Sequence, residues 1–150
     1  MDAPPTISAG TVTLEILSKI FEDNGIEAQW NGPEEAPEGL TVQWESAFCY
    51  VELSGVSSSD EDEWRYLVFT APEPVRATAD RQAILKFVRR VNRKLRLVRA
   101  SFDGGNVVFD YTAILTGGEL PSLWVVGCLA LFDNAIRQAK EYFDPDKVLE

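Results

Sequence analysis

Leu14, Leu17, Ile20 and Phe21 recur at intervals of three and four, which puts them on one side of a helix. The spacing predicts a helix over residues 11–24. The Thr11 hydroxyl is placed to accept a free N–H of its first turn, and Asn24-Gly25 is placed to stop it. The ten residues before it carry Pro, Ala, Ser and Gly without apolar periodicity and predict a flexible tail over 1–10. Residues 32–39 hold two prolines and two glycines and read as a loop.

From Leu40 the period changes from helical to two. Leu40, Val42 and Trp44 alternate with Thr41, Gln43 and Glu45, the pattern of a half-buried strand. A turn at Glu45-Ser46-Ala47 leads to a second strand over Phe48–Leu53. Gly55 to Asp62, with three serines and an acidic run, is an exposed connection. Trp64–Thr70 is a third strand, ended by Pro72 and Pro74.

Ile84, Phe87, Val88, Val91 and Leu95 form one helical stripe, predicting a second helix over about 79–95 with Thr78 as its cap. Leu97–Asp103 and Val107–Leu115 read as strands joined at Gly104-Gly105, where a tight hairpin needs positive φ. Gly117-Gly118 breaks the chain, Pro121 suits the first turn of a helix, and a third helix runs to about Phe143. The order is α-β-β-β-α-β-β-α. Short β connections with single interleaved helices predict an α+β fold, one antiparallel sheet of about five strands packed by helices, in a single domain over 11–150.

The third helix is apolar nearly all round, so it needs cover on more than one side. Core burial and a homodimer interface through Trp124, Val125, Leu129, Leu131 and Phe132 both satisfy that need.

Charge sharpens the picture. The 150-residue chain carries a net charge of −10, which disfavours nucleic acid and anionic membrane as partners. Acidic residues crowd residues 1–63, whereas residues 76–99 are basic. On the second helix Arg89, Arg90 and Arg93 read as a solvated face, as a basic face for an acidic partner, or as a face for the acidic N-terminal half of the chain. No apolar run reaches the ~20 residues that span a bilayer. The N-terminus lacks a basic region followed by an apolar stretch, so no secretory signal is expected and the expected location is cytoplasmic.

The chemistry available is narrow. With no histidine there is no Ser-His-Asp triad, no Cys-His pair and no usual zinc site. The familiar phosphate-binding glycine loops are missing. The Asp60-Glu61-Asp62-Glu63 run fails the calcium-loop pattern, because Arg65 stands where that loop needs glycine. Cys49 and Cys128, far apart and in apolar surroundings, read as buried thiols. No catalytic residue, cofactor or metal is expected.

Val91-Asn92, the hairpin Asp103-Gly104-Gly105-Asn106, the segment Ile114-Leu115-Thr116-Gly117-Gly118, and the last helix with Leu129, Phe132 and Ala135 resemble the YbjN family of bacterial sensory transduction regulators. The resemblance covers roughly residues 11–143. It implies a fold similar to the class I type III secretion chaperones, often dimeric, and it brings no catalytic residues. The expected function is a non-enzymatic protein-binding module, chaperone-like or regulatory. Two alternatives stand beside it: a class I secretion chaperone holding an effector segment, and an enzyme using an unrecognised carboxylate or lysine site.

Overall fold

In a computed structural model the three predicted helices are α1 (Leu14–Asp23), α2 (Arg81–Lys94) and α3 (Leu123–Tyr142). The strands are β1 (Thr6–Ile7), β2 (Glu27–Asn31), β3 (Gly39–Trp44), β4 (Ala47–Val56), β5 (Trp64–Pro74), β6 (Arg99–Asp103), β7 (Asn106–Thr116) and β8 (Leu120–Pro121). The structure describes residues 2–33, 37–44, 47–56, 64–116 and 118–150. Of the expected turn at Glu45-Ser46-Ala47 the first two residues, with most of the serine-rich acidic connection and Gly117, lie outside the described residues, and Ala47 opens β4.

The fold is α+β. Six strands make a mostly antiparallel sheet in the order β2-β3-β4-β5-β7-β6, and β1 pairs with β8 in a separate two-stranded sheet. The sheet therefore has one strand more than expected. The addition is β2, whose five residues pair antiparallel with β3 from Glu27↔Gln43 to Asn31↔Gly39. Ala28 and Trp30 do alternate with polar neighbours there, but the run is short and ends in the Gly32-Pro33 break.

The chain divides into two compact units, the first of residues 1–69 with 112–130, the second of residues 70–111 with 131–150. β5, β7 and α3 each pass from one unit to the other along the chain.

In the first unit α1 lies against β2 and β3 and buries Leu17, Ile20 and Phe21. Its cap is Thr13, whose hydroxyl accepts the N–H of Ile16 at 3.2 Å. Thr11 instead serves the preceding turn, accepting the Ser8 N–H. The end is as expected. Gly25 takes a φ of +75°, its N–H bonds the Glu22 carbonyl, and the Ile26 N–H bonds Phe21 at 2.9 Å, with Ile26 buried beneath. The expected tail is ordered from Thr6 on. Thr6 and Ile7 pair with Pro121 and Leu120, and Ile7 and Ala9 are buried. Ser122 holds the same segment by donating its hydroxyl to the Pro4 carbonyl and its N–H to Pro5. Pro121 is thus a strand residue, and α3 starts after Ser122.

In the second unit α2 is capped by Asp80, whose carboxylate accepts the Ala83 N–H at 2.8 Å, rather than by Thr78. A turn closed by the Ala79 N–H on Arg76 delays the helix by two residues. Phe87 of α2 meets Phe109 of β7 edge-on, the centroids 6.4 Å apart, and both are fully buried. The hairpin is the two-residue type expected: Gly104 and Gly105 have φ of +58° and +86°, and Asp103 pairs with Asn106. Pro72 and Pro74 extend β5 instead of ending it; proline's fixed φ is compatible with extended backbone and removes only an N–H.

Candidate functional site: an aromatic sheet face

A strand sends successive side chains to opposite faces. In the first unit the buried face holds Leu40 and Val42 of β3, Cys49 and Val51 of β4, Leu67 and Phe69 of β5, and Ala113 and Leu115 of β7. Its opposite holds Thr41 and Gln43, then Phe48, Tyr50 and Glu52, then Trp64, Tyr66 and Val68, then Thr112 and Ile114. Phe48 is 45% exposed, Tyr50 38%, Trp64 44% and Ile114 53%. β4 and β5 are neighbours in the sheet, so four aromatic rings share one face, three of them exposed and Tyr66 half-buried.

The rings come in ordered pairs. Phe48 and Tyr50 meet edge-on with centroids 5.8 Å apart, and Trp64 and Tyr66 are tilted at 6.3 Å. On one side the face turns polar. Phe48 lies across from Gln43, and Tyr50 from Thr41. Beyond those, β2 presents Glu27 and Gln29, which share a hydrogen bond at 3.3 Å. β5 also carries Arg65, but its parity is that of Leu67, and its side chain lies so close to Gly55 that a Cβ there would collide with it. The one cation of this strand segment is thereby turned away from the aromatic face.

Such a face offers π surfaces and apolar area. Cys49 and Cys128 are both buried. Among the described residues no cluster of acidic or cysteine side chains could hold a metal ion. A shallow pocket of about 330 Å³ opens at the start of α2, lined by Thr78, Asp80, Lys86 and Asp146 among others. Asp80 already occupies that helix terminus as its cap.

The residues singled out from sequence lie elsewhere. On α2, Arg89 and Arg93 are exposed. Arg90 is half-buried and donates Nη1 to the Phe143 carbonyl at 2.8 Å, so it closes the second unit on itself. On α3, Val125, Leu129 and Phe132 are buried within the chain, Trp124 is half-buried, and Leu131 is 51% exposed. Of that set only Leu131 is freely available to a second copy. The aromatic face was missed, although Phe48-Cys49-Tyr50-Val51 carried its signal: a strand apolar at every position offers apolar side chains to both faces, and one helical layer covers only one.

A protein-family model matches residues 13–145, nearly the whole chain; its description is "YbjN: Putative bacterial sensory transduction regulator". The chain belongs to the YbjN family. A search of curated proteins found no match. This YbjN chain thus comes from a family described as regulatory, and among its described residues no helix is long and apolar enough to cross a membrane.

Proposed function

We propose that this YbjN chain is a non-enzymatic, cytoplasmic regulator that works by binding another protein, and that Phe48, Tyr50, Trp64 and Tyr66 make the contact. One observation carries the proposal: four aromatic side chains share one face of the first unit in two mutually packed pairs, with Phe48, Tyr50 and Trp64 exposed and Tyr66 half-buried. Exposed aromatic surface is costly to leave in water and concentrates the energy of protein contacts. The family's regulatory description is consistent with a partner-binding role.

Photo-crosslinking tests it. A benzophenone-bearing phenylalanine analogue replaces Tyr50 in one variant and Glu22, exposed on α1, in another. Irradiation in cells is expected to join a second protein to the chain from position 50 and not from position 22. Crosslinks from position 22 with none from position 50 overturn the assignment. The identity of the joined protein separates a regulator from a secretion chaperone, and a joined second copy of the chain places the homodimer on this face instead of on α3.

A further inference from the structure

We propose that the occupant of the aromatic face is an arginine-rich segment of the partner protein. This inference rests on the binding role above and adds the chemistry of the ligand.

The first unit carries fifteen acidic residues against two basic ones, a net of −13, whereas the second carries nine against twelve, a net of +3. The two basic residues of the first unit are Lys19, on α1, and Arg65, on the opposite side of the sheet. The described positions of the aromatic face in the first unit therefore include carboxylates, Glu27 and Glu52, and no cation. Four ring faces beside carboxylates, in a strongly negative field, match a cationic side chain that can also lie flat. A cation over an aromatic ring is attracted by the ring's negative face, and guanidinium stacks on such rings where ammonium is held by its hydration shell.

The other occupants fit less well. A second copy meeting the same face would bring two units of net −13 together. Nucleic acid has the same sign of charge as the face. A neutral apolar segment would leave the carboxylates without a role.

The probe is a fluorescein-labelled peptide of alternating arginine and glycine, with lysine and citrulline versions beside it, titrated into the full chain at physiological salt. Binding is followed by fluorescence anisotropy. The arginine peptide is expected to bind severalfold more tightly than the lysine peptide, and the citrulline peptide least. Trp64→Ser and Tyr66→Ser, neither of which alters charge, are each expected to weaken the arginine peptide about threefold, and Phe48→Ser combined with Trp64→Ser about tenfold. Equal binding of the arginine peptide to wild type and to the double variant reduces the attraction to net charge and overturns the proposal, as does a citrulline peptide that binds equally well. If a variant fails to fold, the wild-type protein decides: the ring resonances of Phe48, Tyr50 and Tyr66 must shift on adding the arginine peptide, and shifts confined to other residues overturn it. Light scattering that shows twice 16.7 kDa for wild type and 16.7 kDa for Trp64→Ser assigns the face to a second copy, which also overturns it. If the arginine peptide fails while position 50 still crosslinks a different protein, the binding role stands and only the ligand chemistry falls.

Discussion

The two units use their side chains in opposite ways. In the second, polar groups are turned inward onto backbone. Asn92 of α2 accepts the Ala100 N–H at 2.7 Å and donates to the Ala100 carbonyl at 2.9 Å, satisfying both groups at the open side of an edge strand. Asp144, buried, accepts the N–H groups of Val148 and Leu149 at 2.7 and 3.0 Å. Arg76 donates Nε to the Leu149 carbonyl at 2.7 Å, and Val75 bridges to Leu149, so the last residues are strapped to the end of β5. In the first unit the sheet carries Phe48, Tyr50 and Trp64 exposed on one face. A large apolar side chain without an internal task is the better guide to binding than a charged one, because a charged one is stable in water and an aromatic one is not.

That contrast can be broken by mutation, beginning with the aromatics. Phe109→Ala in the second unit empties a fully buried site against Phe87 and is expected to cost about 3–5 kcal/mol in urea unfolding, whereas Phe48→Ser on the open face should stay within about 1 kcal/mol. Comparable losses at the two positions would mean that Phe48 is structural and would remove it from the contact surface.

A smaller loss is expected at the strap. Asp144→Ala leaves two buried N–H groups unpaired and should cost about 2–3 kcal/mol. Asp144→Asn, which keeps one acceptor, should cost less. Hydrogen exchange at Val148 and Leu149 should quicken in both, and unchanged exchange there would show that the strap is held without Asp144.

The smallest effect lies at the N-terminus of the first unit. The Ala3 N–H donates to the Asp23 carboxylate at 2.9 Å, and this bond, with Lys19 beside it, holds the Asp23 carboxyl below its ordinary value of 3.8. A folded-state value below the unfolded one means that the stabilisation is complete above pH 3.8 and disappears as pH falls through the lower folded value. The Ala3 amide resonance should therefore titrate with a midpoint below 3.8. A midpoint at or above that value would show the contact to be absent in solution.

Much of this was written in local sequence. The stripe Leu17, Ile20, Phe21 and the Asn24-Gly25 stop specify α1, the stripe Ile84, Phe87, Val91 specifies α2, and Gly104-Gly105 specifies the β6–β7 turn. Each depends on residues within a turn or two of one another, and their periodicities are read directly. The caps slipped by two residues, from Thr11 to Thr13 and from Thr78 to Asp80, since several side chains in each stretch can cap and the turn before the helix chooses among them. The order of residues alone could not settle pairings made across the chain, such as Ser122 with Pro4, 118 residues apart, which holds the segment leading into β1. Nor could it decide burial. Alternation in β4 and β5 divides side chains between two faces, but which face the helices cover is a property of packing. Tertiary structure put Val125, Leu129 and Phe132 inside and left Phe48, Tyr50 and Trp64 in water, because each apolar surface is covered only if another element reaches it.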